Sequence, residues 1–192
     1  SGSHILRDVS IAPASGKITG LLGRNGGGKT TLLHCILGLL PCESGEIVLD
    51  EQLMSPLTPE ARAASGIALV PQGRMIFPRL TVTENLEVAC ATQVGQSRRI
   101  PDIVYELFPV LSEMGNRLGG DLSGGQQQQL AIGSALVQRP KVLLLDEPCE
   151  GIQPSIVDEI GRCIKRLNEE LGLTVLLDEQ RVGFLRRTAD AY

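Results

Sequence analysis

Residues 23–30 read Gly23-Arg24-Asn25-Gly26-Gly27-Gly28-Lys29-Thr30, which fits the pattern G-x-x-x-x-G-K-[ST] in full. No other stretch restricts the possible folds of this chain so far. Glycines let successive backbone N–H groups turn inward around an anion, and a helix N-terminus behind them adds a favourable dipole. The pattern has meaning only between a strand and a helix, and both are legible. Lys17-Ile18-Thr19-Gly20-Leu21-Leu22 reads as a short strand, and helix formers run from Lys29 towards Leu39, with stop signals at Gly38 and Pro41. Lys29 is placed to reach the β- and γ-phosphates of a nucleotide and the Thr30 hydroxyl to ligate Mg²⁺, with Thr31 beside them on the first turn.

A phosphate loop of this kind needs an acid at the end of a neighbouring strand. Val142-Leu143-Leu144-Leu145-Asp146-Glu147 supplies two. Asp146 is placed to hold Mg²⁺ and Glu147 to polarise an attacking water. The apolar run before them, like Leu173-Thr174-Val175-Leu176-Leu177, is the form of a strand buried on both faces. Further strands are expected around Ile47-Val48-Leu49 and Ile67-Ala68-Leu69-Val70, with a helix from Pro59 to Ala64. Ile156, Ile160, Ile164 and Leu167 recur at helical spacing between the two apolar strands. Strands alternating with helices give an α/β fold with a mostly parallel, crossover-connected core sheet.

From Thr83 to Gln138 no strand pattern is found. Ile100, Ile103, Val104, Leu107, Leu111 and Met114 keep amphipathic helical spacing, which Pro109 should kink or split. Residues 73–138 therefore read as a helical sub-domain inserted into the core, within one domain spanning 1–192. The 192 residues carry a net charge of −4 and no global basic field, so nucleic acid is not an expected partner. Arg98-Arg99, Arg162 with Lys165-Arg166, and Arg186-Arg187 read as solvated faces. No apolar run approaches the roughly 20 residues a membrane helix needs. Five scattered cysteines without a C-x-x-C pair suggest reduced thiols, and two histidines leave little for a zinc site; His34 reads as a packed or rim histidine.

Leu122-Ser123-Gly124-Gly125-Gln126 is a Ser-Gly-Gly turn opening a helix, a second place where backbone N–H groups can face an anion. With the two motifs above, it makes the chain resemble the ATP-binding subunit of ABC transporters, whose hallmark is L-S-G-G-Q. The resemblance implies a P-loop NTPase core with a partial N-terminal antiparallel β sub-domain, and ATP and Mg²⁺ as ligands. It implies that Ser123, Gly124, Gly125 and Gln126 act in trans, capping the γ-phosphate held by a second ABC ATPase subunit, identical or different. Gln72, after Leu69-Val70-Pro71, matches the family's Q-loop and is implied to contact the metal and take part in catalysis. The implied partners are membrane permease subunits and, indirectly, an extracytoplasmic substrate-binding protein. The implied location is peripheral, at the cytoplasmic face of the inner membrane.

Residues 71–82 (Pro-Gln-Gly-Arg-Met-Ile-Phe-Pro-Arg-Leu-Thr-Val), the run Gln126 to Gln129, and Ile100 to Leu111 resemble importers of urea most closely, with branched-chain amino acid importers second. Other classes are a soluble ABC ATPase acting on nucleic acid or ribosomes, and a non-hydrolysing cassette. The first lacks its coiled coil or second cassette here, and intact Lys29, Asp146 and Glu147 argue against the second. Phe77 is a candidate docking anchor for a permease, with core packing of the insertion as the alternative. Several positions depart from the family pattern. Gln180 stands where most members carry a histidine, Gln153 where a loop aspartate is usual, and Ser134 where many have arginine. Asp178 interrupts an apolar strand end. The chain begins and ends short of strands the family carries, so an adenine-stacking aromatic is not identified.

Overall fold

The computed structural model describes residues 5–91 and 99–192. Ser1 to His4 and Arg98, with part of the expected helical insertion, lie outside the described residues. Four strands form one sheet, β1 (Ile18–Leu21), β4 (Ile67–Val70), β5 (Val142–Asp146) and β6 (Thr174–Asp178), in the order β1-β6-β5-β4 and all parallel. The connecting helices are α1 (Lys29–Leu37), α2 (Pro59–Ala64), α7 (Pro154–Leu171) and, after β6, α8 (Val182–Thr188). Ala191 adds a parallel bridge on Thr19 at the β1 edge.

Side chains alternate across each strand, so the two faces bury different residues. Leu143, Leu145, Val175 and Leu177 join the larger core beneath the helical segment, α7 and α8, whereas Leu144 and Leu176 pack with Leu33 of α1. By the same alternation Asp146 and Asp178, two residues beyond Leu144 and Leu176, point to the α1 face. Asp146 and Asp178 are register partners, and Asp178 is in turn level with Leu21. The strand carboxyl ends are thus aligned. The loops carrying the glycine-rich motif, Gln72, Glu147 and Gln180 all leave from one edge of the sheet, where parallel α/β sheets bind their ligands.

Helix α1 stops at Leu37 rather than Leu39 because Gly38 adopts the left-handed conformation, φ 85°. The buried Arg62 of α2 seals this end. Its guanidinium donates to the carbonyls of Cys35 (2.8 Å) and Ile36 (2.9 Å), and also to Ser55 (2.8 Å) and Leu57 (3.1 Å). The expected strand near 47–49 is only β2 (Val48–Leu49), paired antiparallel with β3 (Gln52–Leu53). This hairpin is the antiparallel sheet seen among the described residues outside the core.

In the segment expected to be helical, α3 (Val82–Cys90), α4 (Asp102–Leu107), α5 (Pro109–Glu113) and α6 (Gly124–Val137) account for the described elements, with a 3₁₀ turn at Gly119–Asp121. Pro109 splits the amphipathic stretch as its missing N–H requires. α4 ends at Leu107, Phe108 leaves helical geometry at φ −129°, and Pro109 opens α5 as its first residue.

Candidate functional site

Its own glycines set the shape of the glycine-rich loop. Gly28 precedes α1 in the left-handed region at φ 88°, a conformation that costs any other residue energy. At Gly27, which donates to the Arg24 carbonyl at 3.0 Å, a Cβ would stand 2.9 Å from that same oxygen. Helix α1 has no acidic residue in its first turn, so its positive end faces the loop without neutralisation. Lys29 folds back across the loop. Its Nζ donates to the carbonyls of Gly23 (3.2 Å) and Arg24 (3.3 Å) and lies 3.5 Å from Asp178 Oδ1.

Thr30 and Asp146, far apart in sequence, meet at the strand ends. Thr30 Oγ1 donates to Asp146 Oδ1 at 3.0 Å. Asp146 is 1% exposed, and its Oδ2 has no hydrogen-bond partner among the described residues. Burial pushes its carboxyl above the usual range. The Thr30 hydroxyl, His34 and the backbone N–H of Gln72 pull it back down, while Glu147 pushes it up. The Thr30 hydroxyl and the buried Asp146 carboxylate, with its orphaned Oδ2, are an all-oxygen donor set, which fits Mg²⁺. His34 is therefore a half-buried rim residue of this site. Gln72 leaves β4 as expected, with an exposed side chain and its backbone beside Asp146.

Glu147 follows Asp146 in a strained turn, φ 45°, with its N–H on the Asp178 carbonyl at 3.0 Å. Gln180 Nε2 donates to Glu147 Oε1 at 2.6 Å, so the two candidate catalytic side chains are in direct contact. The turn that presents Gln180 is held from beneath. Buried Glu179 accepts the backbone N–H groups of Gln180 (2.9 Å) and Arg181 (3.1 Å) on Oε1.

Ser123 caps α6. Its hydroxyl accepts from Gln126 N at 3.3 Å, while Gln126 Oε1 accepts from Ser123 N at 2.9 Å, a reciprocal capping box. Gly125 is needed for packing, because a Cβ there would stand 2.3 Å from Ile156 Cγ2 of α7. Among the described residues no hydrogen bond or ion pair joins residues 123–126 to the glycine-rich loop within this chain. Sequence reasoning missed Arg74. Its guanidinium donates to Gln127 Oε1 (3.0 Å) and to the Glu150 carbonyl (3.1 Å), tying the segment after Gln72 to α6 and to the loop after Glu147. The four glutamines are not equivalent, since Gln126 caps, Gln127 bonds Arg74 and the Gly119 carbonyl, and Gln129 bonds Glu159.

The profile of the ABC transporter family matches residues 6–150. The chain belongs to that family. It is 42% identical over 186 residues to the high-affinity branched-chain amino acid transport ATP-binding protein BraG of Pseudomonas aeruginosa, covering 96% of this chain and 79% of that one. It is 37% identical over 186 residues to the lipopolysaccharide export system ATP-binding protein LptB of Escherichia coli, covering 94% and 76%. In three dimensions it resembles the ATP-binding cassette MJ0796 in a dimeric post-hydrolysis state bound to ADP and Pi, with TM-score 0.84, 26% identity, and 98% and 86% coverage. The match extends the expected P-loop NTPase fold to the whole arrangement of strands and helices.

As an ABC cassette the chain is an ATPase that uses ATP with Mg²⁺, in a family whose cassettes dimerise and work with membrane permease subunits. No helix among the described residues is long and apolar enough to cross a membrane. The cassette also carries a groove of about 290 Å³ that starts at the carboxyl end of β4 and runs beside α3 and α6, lined in part by Leu69, Pro71, Met75, Phe77, Val88 and Ser134. Met75 is 76% and Phe77 51% exposed, so Phe77 is not a core residue of the helical segment. Its backbone is fixed instead, its N–H and carbonyl bonded to the buried amide of Asn85 at 2.8 and 3.0 Å.

Proposed function

We propose that this ABC cassette powers the import of urea or short amides through a membrane permease, and that it closes as a dimer around ATP. The observation that carries the mechanism is the convergence at the strand ends of Thr30 on Asp146 and Gln180 on Glu147. Residues 23–31 hold the triphosphate through backbone N–H groups and Lys29. Thr30, Asp146 and Gln72 would hold Mg²⁺, which would supply charge neutralisation to the phosphates. Glu147 accepts a hydrogen bond from the attacking water and orients it. Gln180 positions Glu147, and as a neutral donor it does so without a titration near neutral pH. Among the described residues Ser123, Gly124, Gly125 and Gln126 make no hydrogen bond or ion pair to their own loop, which supports their use across a dimer.

Closure moves the helical sub-domain, residues 73–138, relative to the core. Arg74 ties Gln72's loop to α6 and so gives the nucleotide a mechanical route to the exposed Phe77. The groove beside Phe77 then receives the permease, at the cytoplasmic face of the inner membrane, with an extracytoplasmic binding protein delivering the solute. The urea assignment rests on residues 71–82, 100–111 and 126–129. A branched-chain amino acid importer is the second reading, favoured by the 42% identity to BraG. Reconstitution with the cognate permease and binding protein in liposomes decides between them. ATP-dependent uptake of labelled urea is the expected result, and uptake of labelled leucine with no urea flux contradicts it.

A further inference from the structure

We infer that Asp178 is a resident counter-anion for Lys29, which the phosphates of the nucleotide must displace, and that it thereby weakens nucleotide binding and speeds its release. This rests on the assignment of Lys29 to the phosphates. Asp178 ends an otherwise apolar strand, is 1% exposed, and faces α1 in register with a second buried acid, Asp146. Burying a carboxylate there is costly unless a cation compensates. Lys29 Nζ is that cation, at 3.5 Å from Oδ1. An ammonium has three N–H donors, and three groups face this one, the Gly23 and Arg24 carbonyls and Asp178. The contact to Asp178 is an ion pair too long to satisfy Oδ1 as a hydrogen bond, so the carboxylate is held weakly and can be exchanged.

An arriving triphosphate takes the ammonium and leaves Asp178 a buried carboxylate without its cation. That lost pairing weighs against the bound state and not the empty one. When the nucleotide departs, Asp178 recaptures Lys29 and restores the folded-back loop. Asp178 touches neither phosphate nor water in this account; it is a positioning residue acting through Lys29.

The test is a double-mutant cycle read by calorimetric titration of ATP and ADP, with and without Mg²⁺. Asp178→Asn is expected to tighten both nucleotides by about tenfold, the low end of what a charge-assisted contact contributes. Asp178→Glu should restore near wild-type affinity. Asp178→Leu, apolar like the rest of the strand, repeats the gain without a buried amide. In a Lys29→Ala background the gain from Asp178→Asn should fall below about twofold, because coupled residues are not additive. Unchanged or weaker binding by folded Asp178→Asn and Asp178→Leu overturns the inference, as does an equal gain in both backgrounds. If Lys29→Ala binds ATP as tightly as wild type, the phosphate-loop assignment fails and the inference with it. Loss at Lys29→Ala with no gain at Asp178→Asn overturns the inference alone.

Discussion

Arg62→Met should unfold the cassette at markedly lower denaturant, because one side chain holds the far end of the phosphate-loop helix. Arg62 is 6% exposed, and its guanidinium makes four hydrogen bonds to the carbonyls of Cys35, Ile36, Ser55 and Leu57. Cys35 keeps a second donor, Gly38 N, at 3.1 Å. Methionine fills the volume but leaves the other three carbonyls without this donor, at about 1 kcal/mol each or somewhat more. Loss of a cation at a helix C-terminus adds roughly 0.3–1 kcal/mol. The expected destabilisation is about 3–5 kcal/mol, a large part of the roughly 5–15 kcal/mol that holds a domain together. Lysine, with one ammonium on a single stem, cannot reach four separated carbonyls, so Arg62→Lys should recover less than half. Equilibrium urea unfolding followed by circular dichroism measures this. A loss below about 1 kcal/mol with an unchanged urea dependence would refute the role given to Arg62.

Two further outcomes are expected. Gly125→Ala should cost about 1–3 kcal/mol of stability through its contact with Ile156, and adding Ile156→Ala should recover part of it; strictly additive losses in thermal unfolding would contradict the packing role. Gln180→Ala should slow steady-state ATP turnover while leaving ATP affinity near wild type, and turnover at the wild-type rate would remove Gln180 from the site.

The core strands were legible because burial on both faces leaves uninterrupted apolar runs, as in Leu143 to Leu145 and Val175 to Leu177. The glycine-rich turn between β1 and α1 was legible because its pattern is local, and Pro109 announced the break between α4 and α5. What escaped was either short or distant. β3 was missed because Gln52 and Leu53 are exposed and show no period. Its turn is made by Asp50 (φ 48°) and Glu51 (φ 64°), with no glycine to announce it. Nothing local marked Arg62, since its partners lie on α1 and before α2 and only the fold brings them to it. Arg74 was visible only as part of a family-like run, because its partners Gln127 and Glu150 are brought to it by the fold. Asp178 was visible as a break in the strand pattern, but the sequence could not say that Lys29 faces it. Gln180 was singled out only because it stands where most of the family carries a histidine, and its 2.6 Å contact with Glu147 is what the structure adds.

Glu147→Gln tests the central claim most directly, because it separates hydrolysis from closure. A residue that orients the attacking water contributes typically 10²- to 10⁴-fold, so turnover should nearly cease. One negative charge leaves the site while the loop, Lys29 and Thr30 stay intact, so ATP should bind as tightly as before or tighter. With ATP trapped, residues 123–126 of each subunit should close the other's site. Size-exclusion chromatography with light scattering should then show a dimer in ATP-Mg²⁺ and a monomer in ADP, with the variant alone or mixed with a second ABC ATPase. A chain that binds ATP in calorimetry yet remains monomeric in both mixtures would contradict the account.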